Sequence, residues 1–230
     1  MLDALKMPDF IPTCKKNDPN LNKCAVTNAN LALPGLLKGS RAYGLPNLVP
    51  LQIPRIEIQA GNNLNVDLTD NEISGLEGTV VTAVEMQLDK QHMIFRVNIP
   101  RANILGRYKM DGNILILPIK GEGPANITFI DGDYVYSMDY VMKQRNKKQY
   151  LTIVDHKITF TTTRAYYDFK NLFNGDSRLG QEMNKFLDEN WAEVTKDLGS
   201  TVGETISSII TSIAMSVFTK VPFDEVLPVD

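Results

Sequence analysis

The side chains that could do chemistry are few and scattered. The chain has two histidines, His92 and His156, and neither has a nucleophile that the sequence places beside it. His156 reads as a satisfied core histidine on an inward strand face. Gly121-Glu122-Gly123-Pro124 lacks the third glycine of a dinucleotide-binding loop, and strand-like sequence follows it where a helix is needed. There is no phosphate-binding loop and no G-x-S-x-G nucleophile elbow. The acid pairs Asp188-Glu189 and Asp224-Glu225 fall on a solvated helix face and in the tail, where nothing tunes them for proton transfer. Two cysteines and two distant histidines make no metal framework. The sequence therefore points away from an enzyme, and to no metal and no cofactor.

What remains is apolar chemistry. Tyr134, Tyr136, Met138, Tyr140 and Met142 alternate along one strand face. A dry core would use more Val, Ile and Leu. Methionine adapts to irregular shapes, and tyrosine carries a hydroxyl on an apolar body. That combination suits the wall of a cavity for a long lipophilic molecule. Val154, Ile158 and Phe160 on the returning strand share the expected lining, and so do Ile206, Ile209 and Ile213 on a later helix.

The elements that must position these residues are a strand run and a helix. Gly180 to Lys220 reads as one helix of about 40 residues, or about 60 Å. A globule of this length is about 45 Å across. Its apolar stripe steps mostly by four (Val194, Leu198, Val202, Ile206, Ile210) and so drifts about 40° per step around the axis. A curved, twisted wrapper can follow such a stripe. Thr205 to Thr219 carries no charge, which predicts that this half is the more deeply enclosed. Asp176 or Ser177 caps the start. Gly199 and Gly203 weaken the middle.

Between Ile56 and Phe169 the pattern is strand-like. Val80, Val84, Met86 and Leu88 are expected on one face, and Met93, Phe95, Val97 and Ile99 on another. Asp89-Lys90-Gln91 and Asp111-Gly112 read as hairpin turns. Residues 25–37 form a short helix, and residues 1–24 an N-terminal cap. The expected fold class is α+β: one domain over 1–230, with a strongly curved antiparallel sheet rolled around a long C-terminal helix.

The net charge of -3 leaves no basic surface to track phosphates, which excludes nucleic acid as a partner. The cluster from Lys143 to Lys148 reads as a solvated turn. No apolar run reaches the ~18 residues of a membrane span, so no stable membrane insertion is expected. Cys14 and Cys24 flank a hydrophilic, turn-rich loop, which suits a disulfide and an oxidising compartment. Asn126-Ile127-Thr128 is a glycosylation acceptor triplet. Met1-Leu2-Asp3-Ala4 shows no signal-peptide regions, so secretion would mean that a signal has been removed ahead of it.

Several runs resemble one family. Cys14…Asp18-Pro19-Asn20-Leu21-Asn22…Cys24 resembles the N-terminal signature of the insect takeout and juvenile-hormone-binding proteins. Pro50-Leu51-Gln52-Ile53-Pro54 and Gly106-Arg107-Tyr108-Lys109-Met110-Asp111-Gly112 are similar to it too. So is Ile114-Leu115-Ile116-Leu117-Pro118-Ile119-Lys120-Gly121-Glu122-Gly123. Leu172-Phe173-Asn174-Gly175-Asp176, Asn190-Trp191 and Phe218-Thr219-Lys220-Val221-Pro222-Phe223 fit the C-terminal pattern. The resemblance implies a long helix wrapped by a curved sheet, and a secreted carrier of small lipophilic molecules in an internal tunnel. The second cysteine pair of haemolymph hormone carriers is missing, so the chain looks like a takeout protein proper, and the hormone is not implied as ligand. The alternative reading is a signalling protein that docks a receptor and has a packed core.

Overall fold

The computed structural model describes residues 4–60 and 63–229; the expectations for Met1 to Asp3 lie outside them. Helix α1 (Leu21–Lys38) precedes seven strands: β1 (Leu51–Ala60), β2 (Leu64–Ser74), β3 (Val80–Gln87), β4 (His92–Ile114), β5 (Leu117–Arg145), β6 (Lys148–Thr161) and β7 (Arg164–Phe169). Helices α2 (Ser177–Glu189), α3 (Trp191–Phe218) and α4 (Phe223–Val226) complete the chain. All seven strands pair antiparallel in one sheet, along β1-β2-β4-β5-β6. β3 extends the β2 side of β4, and β7 extends the β6 side of β5.

The long strands dictate the curvature. β5 has 29 residues, which would reach about 95 Å if straight. No globule of this size could hold it, so the sheet rolls. Register shifts between Thr69 and Glu72, Val81 and Ala83, and Asp139 and Tyr140 supply local bends. At one end the sheet is five strands wide, and α3 packs against both edges, β1 and β7. At the other end α1 covers β3 and α3 packs on β6. The helix thus closes the roll along its seam.

Helix side chains cap two of the edge strands, β3 and β7. On β3, the Asn30 amide accepts from the Val81 backbone N–H at 3.0 Å and donates to the Val81 carbonyl at 2.8 Å. Asn22 accepts from the Met86 N–H. On β7, the Asn184 amide accepts from the Phe169 N–H and donates to its carbonyl, both at 2.9 Å. Asp188 accepts from the Tyr167 N–H. These groups of Val81, Met86, Tyr167 and Phe169, which would otherwise face water or another chain, are satisfied within the fold.

Three sequence expectations change. The single long helix is two, because Asn190 leaves helical geometry (φ -108, ψ 26) while its side chain donates back to the Phe186 carbonyl. Asp176 caps α2, accepting from the Arg178 and Leu179 N–H groups. Asp111-Gly112 is no hairpin turn, since β4 runs through it and the chain reverses at Leu115-Ile116 instead. Gly112 is needed for a different reason: its φ is +141°, and a Cβ there would collide with Asn63 and Leu64. In β3 the bulge at Val81/Ala83 turns Val81 inward and leaves Val80 48% exposed, while Leu88 belongs to a 3-10 turn.

The expected difference in enclosure holds: Ser208, Ser212 and Thr219 are the exposed positions between Thr205 and Thr219, whereas about half of α2 is exposed. The isoleucines of the uncharged half are only partly covered because they face a hollow. By length and composition α3 is apolar enough to cross a bilayer; here it packs along the rolled sheet.

Candidate functional site: an apolar cavity

The hollow is a cavity of about 680 Å³ between the concave sheet face and α3. It follows α3 from Val194 to Phe218, about 36 Å of helix axis. Every strand of the sheet except β3's outer half contributes inward apolar side chains, such as Ile58, Met110, Phe95 and Phe129. A volume in this range is ordinary for a small-molecule site, but the shape is long and narrow.

Eight of the eleven residues expected to line it do so. Tyr134, Tyr136 and Met138 on β5, Ile158 and Phe160 on β6, and Ile206, Ile209 and Ile213 on α3 all face the cavity. Tyr140, Met142 and Val154 do not. Tyr140 is 2% exposed and packs against Phe223 of α4, with ring centroids 6.3 Å apart. Met142 packs against the same cluster and does not line the cavity. Val154 is unpaired at the bulge where Asp139 meets Asp155 and Tyr140 meets Ile153, and it points outward at 57% exposure. Simple alternation cannot see a bulge, which flips the parity of every residue past it.

Other lining residues were not anticipated. The α1 face made by Ala25, Asn28, Ala29, Ala32 and Leu36 covers one end. Its helical spacing is present in the sequence, but its small side chains carry a weak hydrophobic signal. Gly199 lines the cavity as well.

Polar groups in the cavity are mostly already engaged. The Tyr136 hydroxyl pairs with Thr211 Oγ1 at 2.6 Å, and Tyr167 with Thr195 Oγ1 at 2.9 Å. Asn28 Nδ2 donates to the Thr13 carbonyl at 3.1 Å and lies 3.3 Å from Cys14 Sγ. The Tyr134 hydroxyl has no hydrogen-bond partner among the described residues. Burial pushes its pKa up to about 12, so it stays a neutral donor at any ordinary pH. Burial raises Tyr136 and Tyr167 too, partly offset by their threonine partners.

The titratable candidates are held elsewhere. His156 Nδ1 lies 2.8 Å from the hydroxyl of Ser207, a contact between β6 and α3 outside the cavity. His92 pairs with Asp139 at 2.6 Å on the outer surface. Among the described residues no group of three His, Cys, Asp or Glu side chains could hold a metal ion. Cys14 and Cys24 form a disulfide with a Cα–Cα distance of 6.0 Å, tying the start of α1 to the segment before it. Asn126 is exposed on the outer face of β5, and its Oδ1 accepts from Asn103 at 2.6 Å.

A sequence profile described as "Haemolymph juvenile hormone binding protein (JHBP)" matches residues 2–228. The chain belongs to this family. JHBP-family likeness extends to the whole fold: the crystal structure of Epiphyas postvittana Takeout 1 superposes with a TM-score of 0.83 at 25% identity, covering 94% of this chain and 99% of that one. The "Circadian clock-controlled protein daywake" of Drosophila melanogaster is 21% identical over 95% of this chain and 87% of its own length. A "Putative beta-carotene-binding protein" of Schistocerca gregaria is 22% identical over 95% of this chain and 88% of its own. The JHBP family is one of binding proteins, in keeping with a site whose walls are mostly apolar.

Proposed function

We propose that this protein is a secreted carrier that holds a long lipophilic small molecule, such as a fatty acid or terpenoid, inside the roll and performs no catalytic step. The observation that carries the reading is the 680 Å³ apolar cavity along α3. Burying about 15 methylene-sized groups there yields about 12 kcal/mol at ~0.8 each. Association costs about 4–15 kcal/mol, so micromolar binding or better is within reach. The hydroxyls of Tyr134 and its neighbours orient the ligand's polar end. The Cys14–Cys24 disulfide supports an oxidising, extracellular setting. Asn126 is the candidate glycosylation site. The cavity favours the carrier over a receptor-docking protein with a packed core; a receptor for the loaded carrier is compatible with the fold.

Titration with a fluorescent fatty acid tests the reading. Saturable uptake is expected, weakened more by Tyr136→Ala and Ile209→Ala than by the surface change Lys185→Ala. Absence of uptake by delipidated wild-type protein would overturn it.

A further inference from the structure

Gly199 has no packing reason to be glycine. It sits in the interior of α3, where glycine weakens a helix, and its backbone does not require a left-handed conformation. A Cβ built there would meet no heavy atom within 4 Å outside its own helix. Gly203, one turn on, differs: a Cβ there would lie 2.9 Å from the Ile158 carbonyl oxygen, so close approach to β6 explains it. At Gly199 the missing side chain leaves open space, and that space is the cavity.

The sheet register shows what lies at the same level. Thr195, one turn before Gly199, bonds Tyr167, which pairs with Ile127 on β5. Gly203 abuts Ile158, which pairs with Tyr136. Gly199 therefore stands level with β5 between Ile127 and Tyr136. The cavity-facing rings of that stretch are Phe129 and Tyr134, joined by Phe160 from β6. Tyr134 and Phe160 stack at 5.6 Å with an interplanar angle of 19°, and Phe129 meets Phe160 edge-on at 6.0 Å. Gly132 makes room for this wall, because a Cβ there would press into the Tyr134 ring at 2.7 Å. The one cavity tyrosine with an unpartnered hydroxyl belongs to the same group.

We infer that this level of the cavity is a distinct subsite, with Gly199 on one side and the Phe129–Phe160–Tyr134 wall on the other, that takes a planar ring or conjugated section of the ligand carrying an oxygen for the Tyr134 hydroxyl. A uniform saturated chain needs neither the added width nor the flat aromatic surface. The inference rests on the carrier reading and narrows it to lipophiles with a flat, unsaturated section.

The test compares retinal, which has a ring, a conjugated chain and an acceptor oxygen, with palmitic acid, on delipidated protein. Wild type is expected to bind retinal more tightly than palmitate. Gly199→Leu, which fills the space, is expected to cut retinal affinity about tenfold or more while changing palmitate affinity less than about threefold. Tyr134→Phe should reproduce part of the retinal loss and leave palmitate unchanged. A melting temperature of Gly199→Leu no lower than wild type shows that the loss is local. Equal losses for both probes, or no loss for either, overturn the subsite. Binding of palmitate without retinal overturns it while the carrier reading stands; binding of neither sinks the carrier reading itself.

Discussion

The two ends of the roll are closed by similar devices and filled differently. At one end α1 stitches the β3 edge through Asn30 and Asn22; at the other α2 stitches the β7 edge through Asn184 and Asp188. Beneath α2 the space is packed with Met183, Leu172 and Tyr108, none of which lines the cavity, although Leu187 and Phe169 border it. Beneath α1 the facing residues are largely small, Ala25, Ala29 and Ala32, and the cavity reaches them. Edge closure and core filling are thus separate tasks. A sheet can be sealed by polar side chains while its interior stays open, provided that the sealing helix presents small residues inward.

The contrast can be broken most strongly by truncation. Leu172, at 1% exposure and away from the cavity, has no room to relax, so Leu172→Ala should cost about 2–5 kcal/mol in denaturant unfolding. Ile209→Ala borders existing empty space and should cost about 1 kcal/mol. Equal costs would mean that the two regions are packed alike.

The α1 end should depend more on its covalent tie. Replacing Cys14 and Cys24 together by serine removes the clasp over a sequence separation of 10, worth about 3 kcal/mol in loop-closure entropy. Hydrogen exchange should rise first in α1 and β3. Exchange rising first around α2 would contradict the assignment of the tie to this end.

The stitching itself should be symmetrical. Asn30→Ala and Asn184→Ala each strand one backbone N–H and one carbonyl, and each should cost about 1–3 kcal/mol. If one variant is neutral, that edge is closed by something other than its amide.

A smaller effect appears at alkaline pH. Tyr134 ionises near 12 in the fold and near 10 when unfolded. The unfolded chain therefore loses its proton first, and stability is full below pH 10 and falls as pH rises toward 12. Tyr108, likewise pushed up to about 12 by burial at the packed end, should add to the same decline. Tyr134→Phe should make the decline shallower; an unchanged slope would mean that the hydroxyl is better hydrated than its burial indicates.

Much of this architecture is legible in the sequence. The alternation of Met93, Phe95, Val97 and Ile99, and of Tyr134, Tyr136 and Met138, gives the inward faces directly. The uncharged stretch from Thr205 to Thr219 marks the helix face that meets the hollow. The misses share a cause. Val80 and Val154 were misplaced by bulges, which add one residue and reverse parity without leaving a compositional trace. Asp111-Gly112 resembles a turn because glycine serves close approach as well as reversal. Asn190 interrupts a helix whose apolar stripe continues across it, so periodicity alone cannot find the break. A void is the least legible feature: Ile209 in a packed core and Ile209 beside empty space are the same letter, and only the positions of the opposing side chains distinguish them.

The central claim is that the hollow exists to be filled by a lipophile. Native mass spectrometry of protein purified from secreting insect cells, before and after organic extraction, addresses it most directly. A non-covalent adduct of small-molecule mass that is lost on extraction, and restored at one equivalent per chain when a lipophile is added back, is the predicted result. A single unliganded mass under all these conditions would contradict it.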